Sequence, residues 1–193
     1  MVNGSLRIFV AIDVPDGEVK EKITEFQKKL IQTGADLKLV EPENIHITLR
    51  FLGDTQISLV EKLKLELGAI RFSPFKIVLR EVGAFPDLNR INVVWIGIGE
   101  GNLALIDLWN KVNRSLTNCG VPMDRRGFSP HLTVARVRSG RNKDALSKTI
   151  IDLSDFEFGA FEADSFTLKQ SILTPAGPIY RNLKRVVADQ TVG

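Results

Sequence analysis

His46-Ile47-Thr48-Leu49 and His131-Leu132-Thr133-Val134 are one phrase written twice: histidine, apolar residue, threonine, apolar residue. The chain of 193 residues has two histidines, and each opens a copy. Given 10 threonines and 44% hydrophobic residues, one chance match at a histidine has odds of about 1%, and two come to about one in ten thousand. Side chains alternate along a strand, so histidine and threonine share one face and the apolar pair takes the other. Each phrase therefore sets an imidazole beside a hydroxyl, with its apolar residues turned to the core. Taken singly, either is an ordinary half-buried strand; taken together they mark a site.

The surroundings repeat as well. Leu6-Arg7-Ile8-Phe9-Val10-Ala11-Ile12 reads as a buried strand, ended by the turn residues Pro15-Asp16-Gly17. Residues 18–33 follow as an amphipathic helix with Val19, Ile23, Phe26 and Leu30 on one stripe and Gly34 as its stop. A short strand near 37–40 leads through Pro42 to the first histidine strand, 46–52, which Gly53-Asp54 is expected to close. A helix from Ser58 to about Leu67, a strand over 75–84 and a polar loop around Pro86-Asp87-Leu88-Asn89 complete this half. The second half runs likewise: strand 93–98, helix 103–116 stopped near Cys119-Gly120, and histidine strand 131–137 after Pro130. A short helix at about 143–151 and strands near 156–162 and 164–172 follow. After the turn Pro175-Ala176-Gly177-Pro178 comes a last strand, 179–187, and the end from Asp189 to Gly193 is expected to fray.

The offset between halves is nearly constant. Phe9 is matched with Trp95, Leu30 with Leu116 and Gly34 with Gly120, each 86 residues on; His46–His131 and Thr48–Thr133 are 85 apart. Such a shift argues for duplication of one unit. The expected fold is α+β and bilobal: a pseudo-two-fold duplication with antiparallel sheets flanking a central cleft and helices outside. It is one two-lobed domain over residues 1–193, with repeat 1 at about 6–85, repeat 2 at about 91–173 and a C-terminal strand at 179–187. The two-fold would bring both imidazoles to the one cleft.

A chain of this size buries about 70% of its unfolded surface and needs no disulfide or metal to staple its core. The single Cys119 has no internal partner, and no Cys/His cluster has zinc spacing. The longest apolar run, Val93-Val94-Trp95-Ile96-Gly97-Ile98, is far too short to span a bilayer. The N-terminus lacks the basic-then-apolar plan of a secretion signal. A monomeric, cytoplasmic protein with no membrane partner is expected. Net charge is only +3, but residues 114–148 carry 8 basic and 2 acidic side chains against 7 and 9 in residues 1–57. The second histidine phrase thus sits in a positive field that attracts phosphate.

Two imidazoles facing one cleft suit a reaction in which one proton is removed and another delivered, since imidazole titrates near neutrality. The threonine hydroxyls can donate hydrogen bonds to phosphoryl oxygens as charge builds there. No acidic cluster is placed for Mg²⁺ and no Walker-type loop is present, so neither a metal nor a cofactor is expected. Five residues after His46 stands Phe51, a surface for a base or ribose; five after His131 stands Arg136, a grip for phosphate. In a regular strand the +5 residue points away from the first, so a bulge must re-aim both. Arg50, at +4, would share the face of His46 without such help.

These residues resemble the two-histidine phosphoesterase superfamily and, within it, the RNA 2′,3′-cyclic phosphodiesterase group, historically called 2′-5′ RNA ligases. The likeness runs through Arg7–Ile12, Asn44–Gly53, Val94–Gly97, Phe128–Arg136 and Ser171–Tyr180. It implies a bilobal fold around a water-filled cleft and hydrolysis of a terminal 2′,3′-cyclic phosphate to a 2′-phosphomonoester, with 2′-5′ joining as an associated reaction. The partners it implies are RNA ends, tRNA fragments among them, or cyclic nucleotides. It makes His46 and His131 the acid–base pair, Thr48 and Thr133 the holders of phosphate oxygens, Arg136 a phosphate contact and Phe51 a wall of the nucleotide pocket. Were Arg136 close to His131, its charge would favour the neutral ring there; His131 is then the proton acceptor and His46 the donor. Rival readings are a non-catalytic binder of RNA ends, a relative acting on a small cyclic nucleotide derivative, and an interaction protein with incidental histidines.

Overall fold

In a computed structural model, residues 4–125, 127–175 and 177–189 are described. The first half contributes β1 (Ser5–Asp13), α1 (Glu18–Gln32), β2 (Leu37–Leu39), β3 (His46–Gln56), α2 (Ile57–Gly68) and β4 (Phe75–Pro86). The second contributes β5 (Ile91–Ile98), α3 (Asn102–Asn118), β6 (His131–Val137), α4 (Lys143–Asp152), β7 (Glu157–Ala163), β8 (Ser165–Leu173) and β9 (Pro178–Val187). The strands form one antiparallel sheet in the order β7-β4-β5-β6-β3-β1-β8-β9, with β2 beside β6. The flanking sheets read from the sequence are thus joined, and the joint between β3 and β6 is a single residue pair, Ile47 with Leu132.

The spatial lobes are not the sequence repeats. β4, from the first half, pairs with β5 and β7, whereas β8, from the second, pairs with β1 and β9. The helices cross too: α1 packs on β6, β7 and α4, and α3 packs on β3 and α2. Each half therefore lends a helix and a strand to the lobe built around the other half's histidine. The α1 stripe is legible in the sequence because Val19, Ile23, Phe26 and Leu30 recur at helical spacing, and all four are buried. Each such side chain contributes about 1.5–3 kcal/mol by leaving water.

The register corrects one match. Phe9 faces Phe51 and Val93 faces Arg136, so Phe9 corresponds to Val93, 84 residues on, and not to Trp95. The helix N-caps Gly17 and Gly101 keep the offset of 84. Because α3 has 17 residues against 15 in α1, the shift becomes 86 by the helix ends. A slip of two leaves every strand residue on its proper face, so hydrophobic pattern cannot detect it. Gly53 likewise does not end β3. Ile8 faces Gly53 while Phe9 faces Phe51, and the glycine at φ 71 lets the strand bulge and run on to Gln56. At the C-terminus Asp189 is held, its amide donating to the Phe72 carbonyl at 2.8 Å; the rest of the expected frayed end, and Ala176 of the expected turn, lie outside the described residues. Among the described residues no helix is long and apolar enough to cross a membrane.

Candidate active site

A bulge sits at the same place in both histidine strands. Val10 faces Arg50 but Ala11 faces Thr48, leaving Leu49 as the extra residue of β3. Val94 faces Ala135 but Trp95 faces Thr133, leaving Val134 extra in β6. The bulge residue is thus the last letter of each phrase. It reverses the alternation beyond it, and the +5 side chains return to the face of the histidines. Phe51 is 58% exposed there, and Arg136 is exposed at the matching point. The seven side chains singled out in the sequence all border one cavity of about 730 Å³, large enough for a nucleotide.

Antiparallel pairing of Ile47 with Leu132 puts His46 beside Thr133 and Thr48 beside His131 across the joint. Both anchoring side chains are fully buried. Each imidazole is fixed by the carbonyl two residues before it. His46 Nδ1 lies 2.7 Å from the Asn44 oxygen, and His131 Nδ1 lies 2.9 Å from the Ser129 oxygen. A carbonyl can only accept, so Nδ1 carries the hydrogen in both rings and Nε2 is the ring nitrogen left for chemistry. Aromatic rings hold the imidazoles from the side: Phe9 and Tyr180 at His46, with centroids 5.0 and 5.4 Å away, and Phe85 at His131, 4.9 Å away.

The charge settings of the two rings differ. Burial pushes the His46 pKa below its ordinary value, the Asn44 carbonyl opposes this, and the Lys169 ammonium adds to the depression while Asp13 offsets it. Lys169 is only 6% exposed and pairs with Asp13 at 2.7 Å. Asp13 stands opposite His46 on β1, whereas the residue opposite His131 on β5 is Gly97. Sequence reasoning sought the asymmetry at Arg136 alone; the structure also places it behind His46. Arg136 throws its charge on Tyr180, whose hydroxyl is pushed up by burial and pulled back by Arg136 and Arg7.

Arg50 departs from its expected setting. The bulge turns it away from the surface shared by His46 and Phe51, and it is 9% exposed. Its guanidinium pairs with Asp124 and donates to the Pro122 carbonyl at 2.7 Å. It borders the cavity from the side and ties β3 to the segment that leads into β6. The site residues that sequence reasoning missed are mainly aromatic. Trp109 of α3 stacks on Phe128 at 5.4 Å and 5° and forms part of the wall with Tyr180 and Phe85. Tyr180 lay within a stretch already noted for its resemblance; the carbonyls of Asn44 and Ser129 have no side-chain signature to read. Among the described residues no group of three or more His, Cys, Asp and Glu side chains is placed to hold a metal ion.

Comparison with known proteins matches residues 12–95 and 98–180 to the family described as LigT like Phosphoesterase. An RNA 2′,3′-cyclic phosphodiesterase of Methanocaldococcus jannaschii is 41% identical over 180 residues, 93% of this chain and 99% of that protein. One of Aeropyrum pernix is 41% identical over 167 residues, 86% of this chain and 95% of the relative. Among solved structures, Escherichia coli LigT in its apo form superposes with a TM-score of 0.79 at 29% identity, covering 97% of this chain and 99% of that one. The same enzyme complexed with 3′-AMP also gives 0.79 at 29% identity, over 96% of this chain and 99% of that one.

Proposed function

The chain belongs to the LigT-like phosphoesterase family, and from that premise we propose that it hydrolyses the 2′,3′-cyclic phosphate at an RNA end to a 2′-phosphomonoester. The observation that carries the reading is the matched pair of imidazoles. Each is locked by a carbonyl at Nδ1, and both border one cavity across the Ile47–Leu132 joint. Water attacks phosphorus, His131 Nε2 accepts its proton, the bond from phosphorus to O3′ breaks, and protonated His46 Nε2 delivers a proton to O3′. Thr48 and Thr133 donate to the non-bridging oxygens, and Arg136 balances their charge. Burial favours a neutral His46. The bound anion favours its protonated form, and an imidazolium of depressed pKa gives its proton to an alkoxide more readily. Phe51 offers its exposed ring to the base or ribose.

With a 5′-hydroxyl in place of water, the same steps yield a 2′-5′ linkage. The site is expected to lie in a cytoplasmic monomer, and tRNA fragments are among the ends it would accept. The test is phosphorus NMR of adenosine 2′,3′-cyclic phosphate, and of a cyclic-ended oligonucleotide, incubated with the protein in EDTA. The expected product is the 2′-phosphate, formed at the same rate with and without chelator. A 3′-phosphate would reverse the leaving group, and binding without turnover would make the cleft a module for RNA ends.

A further inference from the structure

Lys38 and Arg136 stand directly opposite each other on β2 and β6. Residues so paired point to one face, and like charges placed there repel. Both side chains border the cavity of the histidines. Among the described residues neither has a carboxylate within 4.0 Å or a side-chain hydrogen bond. Glu41 and Glu43 border the cavity as well, but outside that distance. Lys38 reaches over the cleft: a β-carbon placed on Gly177, in the connection from β8 to β9, would come within 3.6 Å of its Nζ. Arg136 leans to the same side, since its charge is felt at the Tyr180 hydroxyl on β9.

Two cations held together with no carboxylate of the described residues between them make a place that gains from an anion. The bulge at Val134 makes Arg136 follow Thr133 as the next cleft-facing position, about 7 Å further along the strand. That spacing is the scale of one nucleotide repeat, so a cation pair at this point of β6 stands where a phosphate next to the first would lie. We infer that Lys38 and Arg136 form a second phosphate subsite, which takes the phosphoryl group on the 5′-oxygen of the nucleotide whose cyclic phosphate lies between the histidines. This rests on the phosphodiesterase reading for the placement of the first phosphate. In an RNA the second group is the internucleotide diester; in a mononucleotide it is a 5′-monophosphate. The subsite would make the enzyme read chain continuation in addition to the cyclic end.

Calorimetric titration tests this with three product-like ligands: adenosine 2′-phosphate, adenosine 2′,5′-bisphosphate, and the dinucleotide ApA ending in a 2′-phosphate. The second phosphate is expected to tighten binding about tenfold, as charge-assisted hydrogen bonds do. Lys38→Gln is expected to erase most of that ratio, Lys38→Arg to restore it, and the ratio to shrink as salt rises. The bisphosphate and dinucleotide arms separate a 5′-monoester from an internucleotide diester, and a gain in either supports the subsite. Equal affinity for all three ligands, or a ratio unchanged in Lys38→Gln, would overturn it. Binding does not require turnover: a preference for the second phosphate in a protein that hydrolyses no cyclic phosphate would sink the phosphodiesterase reading and leave the subsite standing.

Discussion

Asp13 faces His46 across the β1–β3 pairing, and buried Lys169 holds the Asp13 carboxylate at 2.7 Å. At His131 the facing residue is Gly97, which brings no charge. The balance at His46 therefore depends on a pair of opposite charges close by, one raising and one lowering its affinity for protons. Removing the ammonium in Lys169→Met leaves the carboxylate dominant and raises the His46 pKa. In the proposed role of proton donor His46 must be charged, so the basic limb of the kcat/KM profile is expected to move to higher pH. Asp13→Asn removes the raising charge and is expected to move that limb to lower pH. A profile in which neither limb responds, or in which both variants shift it the same way, would contradict the charge balance. None of this was legible in the sequence. Lys169 is 123 residues from His46, and only the register of β1 with β3 and β8 brings the three groups together.

The bulges are the elements on which the site turns. Gln27, buried on α1, donates from Nε2 to the Val40 carbonyl at 2.7 Å and to the Val134 carbonyl at 2.9 Å. Val134 is the bulge residue of β6, so a helix of the first half supports the feature that aims Arg136 in the second. Gln27→Leu keeps the bulk but removes both bonds, at a cost of about 1–3 kcal/mol. It is expected to lower Tm by several degrees and to raise KM more than it lowers kcat, because Arg136 loses its aim while the histidines keep their carbonyls. An unchanged Tm would show that the bulge holds itself. The strands and helices were largely legible, because apolar periodicity and turn residues mark them. The need for a bulge followed from Phe51 and Arg136 standing at +5. Its position did not, and the same bulge that brought Phe51 to the cleft took Arg50 out of the histidine face. Gly53 misled for a related reason: a glycine that reads as a stop is also what a bulge requires.

At the scale of the whole molecule, duplication made two similar strands, and crossing of elements made one site of them. α1 and β4 complete the lobe of His131, while α3 and β8 complete that of His46. Fold class and the histidine pair could be read from repetition alone. The exchange of elements could not, since pairing partners far apart in sequence leave no local signal. Its consequence is that neither imidazole has a setting of its own half. The two histidine strands meet at the Ile47–Leu132 pair, and the proposed chemistry depends on both sides of it at once. The most direct test is to measure the turnover of a 2′,3′-cyclic phosphate by folded His46→Ala and His131→Ala proteins, beside that of a p-nitrophenyl phosphodiester whose leaving group needs no proton. Each variant is expected to lose about 10²–10⁴-fold on the cyclic substrate, and only His46→Ala to recover on the p-nitrophenyl ester. Full hydrolysis of the cyclic phosphate by either folded variant would contradict the division of acid and base between the two histidines.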